Sequence, residues 1–376
     1  MFTAAWTASP QRPSEGFTPN WSQEGFWRQS VRQVVRLSAG GGRVRVRLSN
    51  AYGTSPVRVA GASVGRTADG AGVVAGSLTR LTFGGAGQVG IPAHGEAVSD
   101  DVGLDAAAGE SVTVTLYFDA ATGPATFHAQ AFTTAYRGEG DLTADVGGAG
   151  FDSVTESWYF LTAVEVDAGR ADAVALFGDS ITDGFGSTVG ADRRWPDALA
   201  ARTGRPVLNA GIGGNLLLND SAWYGEKGVH RLRRDVLDRP GVDTLVVSLG
   251  VNDIGFSETD EQPTYKPAPV LEVAELIAGH RELIRQGRAA GLRVIGCTLL
   301  PFAGSDHWGE RAAKAGHELN EWIRCSGEYD AVADLGRALA DPADPGRLHP
   351  SYDFGDHLHP NDAGYEVMAE VVAAIL

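Results

Sequence analysis

Cysteine is scarce in this sequence. Only Cys297 and Cys325 occur among 376 residues, and two cysteines cannot form the disulfide framework that holds a small secreted domain together. Cys297 lies in the apolar run 294–297, and Cys325 lies in a predicted helix. We therefore expect two buried free thiols, with a single bridge between them as the alternative, and we do not expect a catalytic cysteine.

Basic residues are also few, and long apolar runs are missing. The 31 Lys and Arg residues against 47 Asp and Glu residues give a formal net charge of −16. This charge argues against nucleic acid or an anionic membrane as a partner and favours a neutral or cationic substrate. No run approaches the ~20 apolar residues that span a membrane, and residues 1–10 lack the pattern of a secretory signal. We expect a soluble protein with no membrane insertion, either cytoplasmic or secreted with its signal removed, and the oligomeric state is left open.

Residues 1–168 alternate between apolar and polar side chains. Residues 43–48 read Arg-Val-Arg-Val-Arg-Leu, and residues 111–116 read Ser-Val-Thr-Val-Thr-Leu. This period of two is typical of half-buried strands, and turns rich in Gly, Ala and Asp separate the runs. The pattern predicts an accessory all-β domain, a sandwich of antiparallel strands similar to a jelly roll, over residues 1–168.

Residues 169–376 show a different pattern, in which short apolar strands alternate with helices. The apolar runs 173–177, 206–208, 244–249 and 292–295 predict strands that are buried on both faces. Two helices are predicted from apolar residues at helical spacing: the first from Val273, Leu276, Ile277, His280, Leu283 and Ile284, and the second, capped by Asn361, from Val367, Val371, Val372 and Ile375. Such alternation predicts a parallel sheet with helices on both sides, and the active site of such a domain lies beyond the carboxyl ends of its strands.

The first polar motif at a strand end is Gly178-Asp179-Ser180-Ile181-Thr182. Glycine permits a tight turn from strand to helix, so the serine hydroxyl is raised above the sheet. The N–H groups that open the helix can hold an oxyanion. The alternative is that Ser180 simply caps an ordinary helix.

Two further motifs follow the next predicted strands. Residues 209–215 form a glycine-rich loop that includes Gly214, and its spacing matches neither phosphate-binding pattern, so a nucleotide site is disfavoured. Residues 249–253 include Asn252, whose amide can donate a hydrogen bond to a developing negative oxygen. A flexible turn at the first motif and a capping role at the second are the alternatives.

The fourth motif is Asp356-His357-Leu358-His359-Pro360. A carboxylate and an imidazole three residues apart can meet across one turn, which leaves the other ring nitrogen free to face a serine. A metal site would need more ligands than Asp356, His357 and His359, with His349, Asp353 or His307 as the candidates. Neither HExxH nor paired CxxC motifs occur, and we expect no metal and no cofactor.

In this order the four motifs, GDSIT, GIGGN, GVND and DHLHP, resemble those of the SGNH/GDSL-type serine hydrolases, over residues 171–376. The resemblance implies a flavodoxin-like three-layer α/β/α fold. It also implies a Ser180–His359–Asp356 triad, with the N–H of Ser180, Gly214 and Asn252 as oxyanion donors. His357 is the nearest competitor for the base. The flanking sequence is similar to actinobacterial two-domain members.

The resemblance implies an esterase that acts on short-chain carboxylic esters, including acetyl esters of carbohydrates, as small-molecule or carbohydrate substrates. The predicted substrate-binding set consists of Asp179, Ile181, Trp223, Tyr224, Phe256 and Trp308, and Tyr265 and His307 are further aromatic candidates. Each of these side chains can equally be packing. An acyltransferase or deacylase with the same triad, acting on a natural product or a lipid, and a non-catalytic carbohydrate-binding protein are the alternatives.

Overall fold

The computed structural model describes residues 1–376, which divide into two units, Met1–Ala171 and Asp172–Leu376. The first unit contains strands and no helix. Its strands are β1 (Phe2–Thr7), β2 (Gln29–Arg36), β3 (Gly41–Ser49), β4 (Val57–Val59), β5 (Gly61–Arg66), β6 (Thr79–Arg80), β7 (Val89–Ile91), β8 (Glu96–Val98), β9 (Val102–Ala106), β10 (Ser111–Phe118), β11 (Phe127–His128), β12 (Ala135–Glu139), β13 (Ser153–Thr155), β14 (Trp158–Tyr159) and β15 (Leu161–Asp167).

Two antiparallel sheets form the main body of this first unit. One has the order β1-β15-β3-β8 with β9 also paired to β3, and the other has the order β13-β12-β2-β10-β5-β6. The apolar members of each alternating run point into one shared core, which includes Val44, Val46 and Leu48 of β3 and Val112, Val114 and Leu116 of β10. The predicted β-domain is confirmed.

The outer face of β10 differs from the half-buried strand that the alternation predicts. Thr113 and Thr115 are also fully buried. The Arg32 guanidinium lies over this face: its Nε donates to Thr115 Oγ1 at 2.9 Å, and its terminal nitrogens donate to the carbonyls of Ala71 and Asp145, both at 2.6 Å. Burial lowers the pKa of Arg32 to about 10. The long side chain of Arg32 on the neighbouring strand β2 thus covers Thr115, which the alternating pattern alone predicts to be exposed to water.

The second unit is built on a five-stranded parallel sheet. Its strands are β16 (Ala173–Gly178), β17 (Val207–Gly211), β18 (Val242–Ser248), β19 (Arg293–Cys297) and β20 (Ala331–Ala333), in the order β17-β16-β18-β19-β20. This is the flavodoxin-like order. The four predicted strands are confirmed, whereas β20 was not expected from the sequence. It has only three residues, two of them alanines, so it lacks the apolar run that marked the others.

Helices pack on this sheet, and a small hairpin follows it. The helices are α1 (Ser180–Asp183), α2 (Trp195–Thr203), α3 (Gly228–Leu232), which continues as a π-helix over Arg233–Leu237, α4 (Val251–Gly255), a 3-10 turn (Pro263–Tyr265), α5 (Val273–Ala289), α6 (Glu310–Cys325), α7 (Leu335–Ala338) and α8 (Asp362–Ala373). The hairpin is β21 (Ala340–Asp341) with β22 (Asp344–Leu348). None of these helices combines the length and the apolar composition that crossing a membrane requires.

Two predictions about side-chain burial need correction. Helix α8 is capped by Asn361 as predicted, but its buried face is Tyr365, Met368, Ala369 and Val372, with Val367 and Val371 only partly covered. An aromatic and a methionine side chain reach further into the core than valine, which rotates the contact stripe. Both cysteines are free, but only Cys297 is buried; Cys325 is the last residue of α6 and is exposed.

Candidate active site

Ser180 lies at the carboxyl end of β16, on the turn into α1. In the sheet, Gly178 is level with Gly211 of β17 and with Ser248 of β18, so the ends of three strands meet at this point. A Cβ on Gly178 would lie 2.0 Å from Thr182 Oγ1 and 2.7 Å from the Ser248 carbonyl oxygen, so a residue with a side chain does not fit at this position. The turn therefore depends on close backbone approach, and it presents Ser180 at the edge where all three neighbouring loops begin.

The serine is hydrogen-bonded to a histidine from the far end of the chain. Ser180 Oγ lies 2.8 Å from His359 Nε2, and His359 Nδ1 lies 2.6 Å from Asp356 Oδ2. The second Asp356 oxygen accepts the N–H groups of Leu358 and His359 at 3.0 and 2.9 Å, which fixes the carboxylate. Ser180 and His359 are 8 and 9% exposed, so they are covered yet reachable.

The charge state of Asp356 follows from these contacts. Burial raises the pKa of the carboxyl, but the hydrogen bond and charge of His359 and the two N–H groups outweigh it and lower the pKa to about 2. An ionised carboxylate faces Nδ1 at neutral pH. Nδ1 therefore carries the proton, and Nε2 is left to accept one from Ser180.

The predicted oxyanion donors lie on the two neighbouring loops. Gly214 has a φ of +71°, and a Cβ there would lie 2.3 Å from Tyr224 Cδ1, so only glycine fits. Asn252 Nδ2 donates to the Asn215 carbonyl at 3.0 Å, which holds the amide beside the Gly214 loop. The N–H groups of Ser180 and Gly214 donate to no acceptor within the protein. Donors without partners at the end of a strand are what a negative oxygen needs.

Arg231 of α3 ties these loops together and was not predicted from the sequence. It is fully buried, and it donates to the Gly178 carbonyl at 2.7 Å, to the Ala210 carbonyl at 2.9 Å and to Asn215 Oδ1 at 2.9 Å. The buried carboxylate of Asp235 lies 3.0 Å from it and balances its charge. A single guanidinium thus fixes the ends of two strands and the glycine-rich loop.

Residues 176–367, just over half of the chain, match the sequence profile of the GDSL-like lipase/acylhydrolase family. The chain belongs to this family. It is a carboxylic ester hydrolase. Ser180, Gly214, Asn252, Asp356 and His359 all lie within the matched residues.

Several solved structures resemble the chain over about half of its length. A carbohydrate acetylesterase from Sinorhizobium meliloti is 18% identical, and the match covers 54% of this chain and 97% of that chain with a TM-score of 0.41. An aryl esterase from M. smegmatis is 16% identical over 55% of this chain and 98% of that chain, with a TM-score of 0.42. A GDSL-like lipase from Bacteroides thetaiotaomicron is 19% identical, and the match covers 55% of this chain and 87% of that chain with a TM-score of 0.41. A search of curated protein sequences gives no significant match.

Within the GDSL domain, part of the predicted substrate-binding set forms an aromatic cluster. Tyr224, Phe256 and Tyr265 pack together, with the Phe256 and Tyr265 rings stacked at 3.9 Å. Trp223 packs against this group and is partly buried. The Tyr224 hydroxyl lies 2.6 Å from Thr264 Oγ1, which links two loops. We call Tyr224, Phe256 and Tyr265 the aromatic wall.

The other members of that set lie elsewhere. Trp308 is 47% exposed and lines a separate cavity of about 450 Å³ beside α6. Ile181 is buried in α1. Asp179 is buried and caps α1, with its Oδ1 accepting the Ile181 N–H at 3.0 Å; burial raises the pKa of Asp179 to about 7 against the effect of that bond. This hydrogen bond ties the Asp179 side chain to the first turn of α1, directly beside Ser180.

The histidines weighed as metal ligands have other partners: His357 and His307 each face an aspartate, and His349 Nδ1 accepts the Ser351 N–H at 3.1 Å. His357 Nδ1 lies 2.6 Å from Asp353 Oδ2, and His307 Nδ1 lies 2.6 Å from Asp306 Oδ1. No group of three or more His, Cys, Asp or Glu side chains is arranged to hold a metal ion. Arg231 gave no local sequence signal, because the backbone groups it holds lie far from it in the sequence. Asp306 is adjacent to its partner His307, but no motif marks the pair, because His307 in turn contacts the distant Asn252.

Proposed function

We propose that this GDSL hydrolase is a serine esterase that removes short acyl groups through an acyl-enzyme on Ser180. The observation that supports it best is the continuous hydrogen-bonded chain from Ser180 Oγ through His359 to Asp356. Ser180 follows the end of β16, the His359 carbonyl accepts the Phe354 N–H, and Asp356 accepts two backbone N–H groups. The arrangement is that of a nucleophile, a base and an orienting carboxylate.

In the first half of the reaction, Ser180 Oγ attacks the ester carbonyl carbon while its proton passes to His359 Nε2. The electron pair of the carbonyl moves to the oxygen, which becomes an oxyanion. Asp356 stabilises the imidazolium that forms, because its carboxylate faces the protonated Nδ1. The intermediate then collapses, the bond to the alcohol oxygen breaks, and His359 returns the proton to the leaving alcohol.

The oxyanion formed in this step needs donors that are already oriented. The free N–H groups of Ser180 and Gly214 and the Nδ2 of Asn252 would supply them. A donor of this kind contributes about 10²–10³ in rate. Water then attacks the acyl-enzyme with His359 as base, the carboxylic acid leaves, and Ser180 regains its proton.

The aromatic wall favours a short acyl group. Tyr224 and Phe256 are 5 and 2% exposed, and the Tyr224 ring lies against Gly214, one of the proposed oxyanion donors. A long acyl chain directed toward this wall would have to displace packed rings, which costs the energy of their burial. Because the net charge of −16 disfavours anionic substrates, acetyl esters of neutral carbohydrates are the substrate class to test first.

The test is hydrolysis of p-nitrophenyl acetate, butyrate and octanoate by the wild type and by Ser180→Ala, together with labelling by a fluorophosphonate. We expect Ser180→Ala to lose about 10⁴-fold or more in kcat and to resist labelling, and we expect acetate to be the best substrate. Acetylated sugars, with and without an added acceptor alcohol, then separate hydrolysis from acyl transfer. A Ser180→Ala variant that keeps its activity would overturn the proposal.

A further inference from the structure

The amide of Asn252 is held at both of its polar atoms. Its Nδ2 donates to the Asn215 carbonyl at 3.0 Å, and its Oδ1 lies 3.0 Å from His307 Nε2. A backbone carbonyl can only accept, so Nδ2 must face Asn215 and Oδ1 must face the histidine. His307 Nε2 must therefore carry a proton, which it donates to the amide oxygen.

His307 is held in turn by a carboxylate. Its Nδ1 lies 2.6 Å from Asp306 Oδ1, and the Tyr265 hydroxyl donates to Asp306 Oδ2 at 3.0 Å. The hydrogen bond from His307 lowers the pKa of Asp306 although partial burial opposes it, so the carboxylate is ionised and accepts. The ring is consequently placed between two acceptors, the Asp306 carboxylate at Nδ1 and the Asn252 amide oxygen at Nε2.

Packing prevents this ring from turning. The His307 side chain is 2% exposed, and the rings of Phe256 and Tyr265 meet it edge to face at 5.4 and 5.5 Å. On another side a Cβ on Gly255 would lie 2.3 Å from the imidazole. The only exposed member of the group is the Asp306 carboxylate, at 43%. The imidazole thus has one orientation, set by the same aromatic wall that borders the proposed acyl site.

We propose that Asp306 and His307 form a positioning pair for the oxyanion hole. The pair fixes the Asn252 amide so that its second N–H is directed at the oxyanion. The hydrogen bond that His307 Nε2 donates to Oδ1 also draws electron density from the amide and makes that N–H a stronger donor. His307 touches neither substrate nor Ser180; it acts through Asn252. This inference rests on the proposed function, because it assigns a task to a residue that serves the oxyanion.

The decisive experiment is a double-mutant cycle on p-nitrophenyl acetate with Asn252→Ala, His307→Leu and the two combined. We expect His307→Leu to lower kcat by about tenfold to a hundredfold with KM changed less than about twofold, since the oxyanion exists only in the transition state. If His307 acts only through Asn252, the double variant is no slower than Asn252→Ala. Losses that multiply in the double variant would overturn the inference.

A second pair of variants separates donation from mere packing. In His307→Gln the side-chain amide can still donate to Asn252 Oδ1, so we expect kcat to return to within about fivefold of the wild type. A His307→Gln variant as slow as His307→Leu, at the same unfolding temperature as the wild type, contradicts the inference. Should His307→Leu fail to fold, Asp306→Ala on the exposed rim takes its place in the cycle, with a kcat loss of about threefold to tenfold expected.

The proposed function and this inference fail in distinguishable ways. If Ser180→Ala stays active, the serine mechanism is wrong. If Ser180→Ala is inactive but Asn252→Ala keeps its full kcat, the assignment of Asn252 is wrong and the positioning pair is refuted with it. If Asn252→Ala is slow while both the His307 and the Asp306 variants keep the wild-type kcat, only the positioning pair is refuted.

Discussion

Two loops of the second unit each contain an aspartate that is hydrogen-bonded to a histidine, but the two histidines face different groups. In loop 351–360, before α8, His359 Nδ1 lies 2.6 Å from Asp356; in loop 298–309, before α6, His307 Nδ1 lies 2.6 Å from Asp306. The difference is in what the other nitrogen faces. His359 Nε2 faces the Ser180 hydroxyl at 2.8 Å, and His307 Nε2 faces the Asn252 amide oxygen at 3.0 Å.

This comparison shows that the partner of the far nitrogen decides what an Asp–His pair can do. A hydroxyl can give up its proton, so the facing nitrogen can act as a base. An amide oxygen has no proton to give and only accepts, so the facing nitrogen must remain protonated. The same two residue types, Asp and His, therefore provide a proton acceptor in one loop and a hydrogen-bond donor in the other.

The loops also differ in how they are anchored. Asn361 caps α8 by accepting the N–H groups of Ala363 and Gly364, and it donates to the carbonyls of Ser351 and Asp353, both at 3.1 Å. The N-cap of α6 is Gly309, which offers no side chain. The loop with His359 is thus tied to its helix at the cap. The loop with His307 is tied to α6 further along, where the Asn320 side chain accepts the Leu299 N–H at 2.7 Å and donates to the Leu299 carbonyl at 3.0 Å, and His307 itself packs against the aromatic wall.

The largest expected difference between the loops is in their response to Asp→Asn. We expect Asp356→Asn to lower kcat by about 10⁴-fold, because the amide no longer holds the tautomer that leaves His359 Nε2 free to accept. Asp306→Asn, the matched change in the other loop, should cost about tenfold at most. Steady-state kinetics on p-nitrophenyl acetate measures both. Equal losses would mean that the two pairs do the same job.

The next expected effect is on stability and concerns the cap. Asn361→Ala removes the hydrogen bonds that hold loop 351–360 to α8, so we expect the free energy of unfolding to fall by about 1 kcal/mol. Urea unfolding measures it. A stable Asn361→Ala variant would show that the loop is held by other contacts.

A third prediction concerns acid. The pKa of Asp356 is about 2, below its ordinary value of 3.8. A depressed pKa stabilises the folded chain at pH values above the ordinary one, and this contribution is lost as the pH falls toward the folded pKa. The gap in urea midpoint between the wild type and Asp356→Asn should therefore be constant above about pH 5 and shrink between about pH 4 and pH 2. A gap that does not change with pH contradicts the assigned charge state.

The smallest effect is expected at the third Asp–His pair, Asp353 and His357. The His357 side chain is 45% exposed, and its φ is +64°, a conformation that asparagine tolerates. We expect His357→Asn to keep kcat within about twofold of the wild type, because this ring contacts neither Ser180 nor Asn252. Kinetics at pH 7 tests it. A loss comparable to that of a His359 variant would make His357 the base instead.

The strands of both units followed from the sequence because each pattern is local. Alternation over residues 43–48 and the apolar run 173–177 need no knowledge of distant residues. Strand order, the short strand β20 and the burial of Thr115 under Arg32 depend on pairings across the chain, which a local pattern does not encode. The rotated face of α8 has the same cause, since Tyr365 and Met368 are selected by the pocket they fill.

The site divides in the same way. Motif order and spacing named Ser180, Asp356 and His359, and the structure brings these three within hydrogen-bonding distance. The position after a strand end drew attention to Asn252, and the family resemblance named Gly214. It did not name Arg231 or Asp306. Arg231 holds Asn215, 16 residues away in the chain, and Asp306 reaches Asn252 only through His307. Supporting residues are selected by tertiary contacts, so they have no motif of their own.

The two thiols differ in exposure, which allows one of them to be labelled selectively. Burial raises the pKa of Cys297 to about 12, and that side chain is closed to solvent, whereas Cys325 is exposed at the end of α6. A maleimide dye at neutral pH should therefore couple to one position per chain. A fluorophore placed there reports on the helix that follows the His307 loop, and it does so without an engineered cysteine.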